Sequence, residues 1–468
     1  MRLWTTKLRA CAVAMLGAGA VAAASAACVD ELNPGAAGTA KGKGATGQGS
    51  VVPAWLQESS PADSLPAEMQ LQTVAREAAR RSALLGAARL LAEAADDDLS
   101  EAQAARMPQV DVGGTMGPLY SRYDGQTLKK GNQSTASLNA TGLVYDGGRS
   151  EAMVRYRREM ALAAVHGMQS TREQVVLEAV ATALERNRYR MQAKVYQQYA
   201  RKMSCLSEAL EQIVAVDRGR ASELLQARKT QAQAELARDG AMATSRQFEQ
   251  RLRKIIGDQP ALGEGLGVPL SQIMSSGELF RLLDQSDDIR QIKAQAEGAL
   301  RYAESVDAAR SPQVSWVAST TAVEQSGVRS GTAQAGLSVT YSLFDAGGMR
   351  SAASAAAKRA AATQRQYEEL MNARVSKVNE MLDVTQSAFD RAHRYVEVIK
   401  DSDRVRTATF QQWSQLGKRS LFDVMSAEGD HFNLRVAYVN ALYDGYVANA
   451  QLRSLGGGLM NWLLPGER

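Results

Sequence analysis

Two periodicities share this chain and change places twice. Val110, Val112, Gly114 and Met116 alternate with Asp111, Gly113 and Thr115, and Ala136, Leu138, Ala140 and Val144 alternate with Ser137, Asn139 and Thr141. A two-residue period predicts strands, about 109–120 and 134–145. Between them Ser121 to Gln133 holds Asp124-Gly125 and Gly131-Asn132, the residues of a hairpin loop. Upstream, from about Leu65 to Arg106, the pattern is helical: Leu84, Leu85, Ala88, Leu91 and Ala92 fall on one face, with Glu93 and Asp96 to Asp98 outside it. Met107-Pro108 stops that helix, because proline cannot continue the hydrogen-bond ladder and pushes its predecessor out of helical space. Downstream, Ser150 to Val216 contains no proline and predicts one long helix, a tip turn at 217–222 and a return helix to about Ile256.

The whole pattern recurs about 200 residues later, the mark of internal duplication. Ser311-Pro312-Gln313-Val314 repeats Met107-Pro108-Gln109-Val110. Strands follow at about 313–323, where Val314, Trp316 and Ala318 oppose Ser315 and Ser319, and at about 332–344, where Ala333, Ala335, Leu337, Val339, Tyr341 and Leu343 oppose Gln334, Ser338, Thr340 and Ser342. Tyr145-Asp146-Gly147-Gly148-Arg149 closes the first hairpin and Phe344-Asp345-Ala346-Gly347-Gly348-Met349-Arg350 the second. A second long helix, about Ser351 to Leu416, leads to a tip turn at 416–420 and a return helix to about Leu455. At 1.5 Å per residue each long helix is on the order of 100 Å, too long for a globular domain, so it must lie on other helices. Gly219 and Gly417 supply turns, and Ser222 or Ser420 can cap the helices that begin there.

A proline-initiated strand, an aromatic-Asp-Gly-Gly closure, a long Ala-rich helix and the tip Gly417-Lys418-Arg419-Ser420-Leu421-Phe422-Asp423-Val424, all duplicated, resemble the TolC family of outer-membrane efflux and secretion channels. The resemblance covers roughly Leu65 to Leu455. It implies a mixed α and β membrane protein: a long antiparallel α-helical coiled-coil barrel, plus a β-barrel completed by trimerisation with four strands per subunit. Four tilted strands alone are too few to enclose a lumen. It also implies an outer-membrane location with a long periplasmic extension, and partnership with a periplasmic adaptor and an inner-membrane ABC transporter or proton-driven pump. At the tip it implies a gate, with Arg419 paired to Glu223 across adjacent coiled coils and Asp423 ringing the tunnel. The family more often shows Asp where this chain has Glu223, and a second acid where it has Ser426. Tyr120, Tyr145, Trp316, Tyr341 and Phe344 are candidates for interfacial girdles. The run Ser420 to Glu428 looks like the type I protein secretion branch, with multidrug or metal efflux as the alternative.

The remaining segments are read as a signal peptide at 1–27, a flexible linker at 28–64, a first repeat at 65–257, a connector at 258–285, a second repeat at 286–455 and a tail at 456–468. The leader reading rests on Arg2, Lys7 and Arg9 ahead of an apolar run from Ala10 to Ala24 and small residues to Ala27. Those three charges account for most of the formal +5, leaving about +2 on the mature chain and no nucleic-acid footprint. Cys11, Cys28 and Cys205 leave no disulfide framework to expect, and Cys28 is a candidate for lipidation although Ser25 stands where a lipoprotein signal usually has Leu. His166, His393 and His431 are isolated in helical regions, so neither a zinc site nor a histidine-based triad is visible, and no cofactor or enzymatic activity is expected. Asp96-Asp97-Asp98 reads as a solvated turn, and Gly456-Gly457-Gly458 lacks the context of a phosphate loop. A self-standing porin needs many more strands in one chain, and a periplasmic coiled-coil scaffold needs none.

Overall fold

The computed structural model describes residues 66–123, 126–258, 263, 266–325 and 327–466. The expected leader, the 28–64 linker and the Asp124-Gly125 turn lie outside them. Helices α1 (Ala67–Arg81) and α2 (Ala83–Ala104) precede strands β1 (Gln109–Tyr123) and β2 (Gln126–Tyr145), the long α3 (Arg149–Val216), a single 3-10 turn at Arg218–Arg220 and α4 (Ala221–Ile256). The second half repeats the order with α6 (Asp287–Ala308), β3 (Gln313–Gln325), β4 (Val328–Thr340), α7 (Gly348–Ser414) and α8 (Leu421–Leu455). Between the halves stand a 3-10 turn at Val268–Ser271, α5 (Ser276–Leu282) and a second 3-10 turn at Leu283–Gln285; α9 (Leu459–Leu463) follows α8.

Several local expectations are revised. The single helix expected from Leu65 to Arg106 is broken at Ser82, whose backbone turns to ψ 114° and whose hydroxyl accepts the Leu85 N–H at 3.2 Å, an N-cap inside an otherwise continuous apolar pattern. Of the apolar face on α2, only Ala92 is buried, and Leu84 and Leu91 are exposed. Gly131-Asn132 is not loop but part of β2, opposite Leu119 and Pro118. β4 stops at Thr340, so Tyr341 and Phe344 lie beyond it.

The segments read as a connector and a tail are packed. Leu266, Leu270, Leu279 and Leu283 are buried, and Asn449 of α8 donates to the carbonyls of Leu270 (2.6 Å) and Gln272 (2.8 Å). Glu173 of α3 accepts the N–H groups of Leu459 (2.6 Å) and Met460 (3.0 Å), capping α9, while burial pushes its carboxyl above the ordinary range against those bonds. The main core lies here at mid-length, where α1, α3, α7, α8 and α9 bring together Leu71, Val176, Leu184, Phe389, Tyr438, Tyr446 and Leu459.

Both strand-to-helix junctions are built on one aspartate. Asp146 accepts from the N–H groups of Gly148 (3.0 Å) and Ser150 (2.7 Å); Asp345 accepts from Gly347 (3.0 Å) and Met349 (2.6 Å). These N–H bonds hold the Asp345 carboxyl below the usual carboxylate range. The repeats therefore superpose Gly147 (φ 67°) on Ala346 (φ 54°) and Gly148 (φ 86°) on Gly347 (φ 86°), one residue out of step with a Gly-Gly on Gly-Gly alignment. Ala346 carries a Cβ into left-handed space, which costs about 1–2 kcal/mol. Ala346→Gly is expected to raise the temperature at which detergent-solubilised protein unfolds, and Gly347→Ala to lower it; shifts of the same sign would discard the assignment.

Candidate functional site: the two-faced sheet and the helical tip

The four strands form one antiparallel sheet in the order β1-β2-β3-β4, with β1 and β4 as edges. Its register sorts side chains cleanly. Val112, Leu138, Thr320 and Ala333 lie in one row, Val110, Ala140, Ala318 and Ala335 in the next, and Gly142, Trp316 and Leu337 in a third, all on one face. The opposite face carries Asp111, Asn139, Ser319 and Gln334, with Gly113, Ser137, Thr321 and Thr332 in the neighbouring row. Val112 is 83% exposed and Leu337 72%, so these positions of the apolar face are covered by nothing among the described residues. Trp316 lies across Gly142, where any Cβ would collide with its indole ring. A bulge between Leu143 and Tyr145 sets Tyr145 opposite Val314 and so carries a girdle candidate onto the apolar face. At the far end Glu324 and Arg329, directly opposed, form an ion pair at 3.1 Å. An apolar face, a polar face and aromatics at the helical end are what a membrane-spanning barrel wall requires.

Among the described residues no helix is long and apolar enough to cross a membrane. The helices instead run as antiparallel pairs, α3 with α4 and α7 with α8, to two turns at the opposite end of the molecule. The turns lie side by side, because Leu206 and Leu210 of α3, Ala227 of α4 and Leu421, Val424 and Met425 of α8 form one apolar cluster with Phe410 and Trp413 packed against it. In the first turn Asp217 accepts the Gly219 N–H at 3.0 Å and starts the 3-10 turn. Gly219 keeps an ordinary negative φ, and Ser222 sits inside α4 rather than capping it. In the second turn Gly417 takes φ 60° and the Lys418 N–H returns to the Gln412 carbonyl at 3.1 Å.

Ser420 is the N-cap of α8. Its hydroxyl accepts the Asp423 N–H at 3.2 Å and donates to the Asp423 carboxylate at 3.0 Å, which also accepts the Ser420 N–H at 3.0 Å. The Ser420 backbone bond first, then its hydroxyl and the Arg419 charge, hold the Asp423 carboxyl below the usual carboxylate range. Its capping contribution is therefore present near neutrality and lost as pH falls through that lowered value. Arg419 donates to the Gln412 side chain at 3.2 Å; the described residues show no ion pair to Glu223, whose Oε2 has no hydrogen-bond partner. Within one chain, then, the turns adjoin but the expected Arg419–Glu223 pair is not made.

Above the tip lies a cluster that the sequence did not single out. Glu428 of α8, fully buried, faces Lys202 of α3 at 3.7 Å and Arg406 of α7 at 3.4 Å. Arg406 also pairs with Asp403 at 2.6 Å, and the Lys202 ammonium lies 5.2 Å from the Phe410 ring centroid. Burial lowers the Lys202 pKa. Next to this cluster His431 is pushed down to about 4, by burial first and then by Arg406 and Arg435, so it is a neutral packing residue. His166 meets Asp287 at 2.9 Å and His393 meets the Phe389 carbonyl at 2.8 Å, each in a structural bond. Among the described residues no group of His, Cys, Asp and Glu is arranged to hold a metal.

A two-faced sheet at one end of paired helices about 100 Å long defines a membrane channel with an extended helical conduit. Residues 74–258 and 279–458, the two repeats, match the model of the outer membrane efflux protein family. The chain belongs to that family. Its members are passive channels, so the protein is an outer-membrane channel with a long periplasmic extension and not an enzyme. No curated protein matches it. Among solved structures it resembles CusC, studied for transmembrane channel formation (19% identity, TM-score 0.75, covering 83% of this chain and 92% of that one). It also resembles the outer membrane protein VceC of Vibrio cholerae (18%, 0.73, 83% and 96%) and the CmeC outer membrane channel of Campylobacter jejuni (15%, 0.73, 90% and 94%).

Proposed function

We propose that three copies of this chain form the exit duct of an envelope-spanning efflux assembly, closed at rest by its periplasmic tip. The observation that carries this reading is the sheet with open edges β1 and β4. Lipid leaves unpaired backbone groups unsatisfied, so both edges must be paired by strands from other copies. Three copies supply twelve strands. Apolar residues left bare on the helices fit the same assembly: Leu84 and Leu91 on α2, and Val384, Val398 and Val405 on α7, the last three at multiples of the heptad spacing. Exposed Val216, Leu225, Leu416 and Phe422 at the tip suit contact with a periplasmic adaptor, which in turn engages an inner-membrane pump.

The run Ser420 to Glu428 that suggested type I protein secretion is used locally, Ser420 and Asp423 as a cap and Glu428 in the buried cluster, and so says nothing of cargo. The family match, to outer membrane efflux proteins, supports efflux as the duct's task. Threefold symmetry would bring three copies of Asp423 together and concentrate cations at the tip. The latch joins Arg419 of one copy to Glu223 of the next, where, among the described residues, Glu223 Oε2 accepts no hydrogen bond and Arg419 meets the neutral amide of Gln412. An exposed Arg-carboxylate pair contributes about 0–1 kcal/mol, and three copies together bias a two-state tip by a few kcal/mol. In planar bilayers Arg419→Ser and Glu223→Ala should each raise single-channel conductance, and the double variant should add little to either. Additive increases, or none, would reject the latch; absence of channels in the wild type would reject the duct.

A further inference from the structure

The molecule keeps the same two flanks from the sheet to the tip. Beneath the sheet α2 packs on α3, α3 on α6 and α6 on α7; towards the tip α4 packs on α3, α3 on α8 and α8 on α7. Helix α7 therefore closes one flank over its whole length, continuing edge strand β4, while α2 and α4 close the other, which leads into edge strand β1.

The α7 flank carries an empty socket. Val378, Met381, Thr385, Ala388 and Ala392 turn into the chain's own core, and at about 100° per residue Asp383, Asp390 and Arg394 point the opposite way. A depression of about 300 Å³ there is lined by Asp383, Gln386, Ser387 and Asp390, with Arg391 and Arg394 at its tipward end. Residues i, i+3, i+4 and i+7 of one helix are the walls of a knobs-into-holes socket, and this one has a carboxylate at each pole. Neither Asp383 nor Asp390 makes an ion pair or hydrogen bond among the described residues. On the other flank Ala227, Ala234 and Ala241 of α4 are buried in its pairing with α3. Arg246 and Lys254 of α4 are exposed and, among the described residues, likewise without an ion pair or hydrogen bond.

We propose that α4 of one copy seats against α7 of the next, with Arg246 and Lys254 as basic knobs in the socket between Asp383 and Asp390. This seam rests on the reading of a three-copy duct and supplies the contact that holds its helical part together. The two tip turns lie side by side, so heights run from Ala221 along α4 and from Ser414 along α7. Leu236 and Val398, both bare, stand about 23 and 24 Å up. Asp239 and Arg394 stand at about 27 and 30 Å, Arg246 and Asp390 at about 38 and 36 Å, and Lys254 and Asp383 at about 50 and 47 Å. Threefold symmetry gives every copy the same heights, so an apolar contact and three opposite-charge pairs fall level. Asp239 also meets Arg238 of its own helix at 2.7 Å, which leaves the two knobs as the groups that key the seam.

The test reverses each side of the seam in the full chain. Asp383→Lys with Asp390→Lys, and separately Arg246→Glu with Lys254→Glu, should each lower the trimer-to-monomer ratio of detergent-extracted protein about tenfold, read by native mass. The variant with all four changes should return to within about twofold of the wild type. Unchanged helicity by circular dichroism separates loss of the seam from misfolding. A short bismaleimide should join chains carrying Arg246→Cys and Asp390→Cys into covalent dimers and trimers, since α3 and α8 stand between the two positions within one chain. Double reversals that assemble like the wild type, a fourfold variant no better than either double, or cross-links confined to single chains would overturn the seam and leave the duct standing. A wild type that is monomeric in detergent would overturn both.

Discussion

Leu138→Arg is expected to empty the outer membrane of folded channel, whereas the same change at the next residue, Asn139→Arg, should leave the channel inserted and reduce its preference for cations. The two positions share a strand and a backbone but lie on opposite faces: Leu138 is in the row of Val112, Thr320 and Ala333, Asn139 in that of Asp111, Ser319 and Gln334. An arginine on the lipid face near the bilayer midplane costs about 2–4 kcal/mol, and each copy in the assembly bears that cost. On the polar face the same guanidinium meets water. Quantifying assembled channel in outer-membrane fractions and reversal potentials in bilayers checks both halves. Equal loss of the two variants would mean that the sheet does not face lipid on one side only.

Glu428→Ala should be the most damaging single change in the helical part. It strips the counter-charge from Lys202, which has no other ion pair among the described residues, and leaves Arg406 with Asp403 alone. Removing one partner of a buried pair typically costs about 3–5 kcal/mol, because the other charge remains desolvated. Lys202→Met should cost much less, since Arg406 still faces Glu428, and Lys202→Met with Glu428→Leu should recover most of the loss. Thermal unfolding of the four proteins in one detergent checks the order. If Glu428→Ala unfolds like the wild type, α3, α7 and α8 are not held together by this cluster.

Periodicity made the long elements legible and local chemistry hid the short ones. Both 3.6-residue runs without proline could be bounded closely, because a long repeat averages over single residues, whereas β2 begins at Gln126 rather than about 134 and β4 runs from Val328 to Thr340 rather than about 332–344. Ser82 was missed since one N-cap serine inside an apolar helical pattern reads as tolerated. Gly131-Asn132 looked like turn chemistry, yet a strand of a membrane sheet can run past such residues when its partner continues, here Leu119 and Pro118. The closing run at Asp345 was visible in the sequence, but Ala346 in left-handed space has no signature in a sequence rich in Gly. The Glu428 cluster joins three helices far apart in the chain, and no spacing rule connects Lys202, Arg406 and Glu428. At the tip, the sequence marked the right turns but assigned Ser222 a cap that α4 does not carry; Asp217 instead starts the 3-10 turn ahead of it.

The sheet also dictates an order of folding. β1 with β2 and β3 with β4 are hairpins, quick to close because their ends are near in sequence. The β2–β3 ladder, in which Gln133 meets Gln325, joins the two halves across the whole of α3, α4 and α6, so it is a late, high-contact-order event that waits for the helical pairs to dock. The outer edges have no partner strand among the described residues. Their pairing is bimolecular, its rate rises with the amount of protein delivered to the membrane, and until it happens each copy exposes two sticky strands. Secretion faster than assembly would therefore convert this channel into an aggregate, and slowing synthesis should raise the fraction that reaches the assembled state.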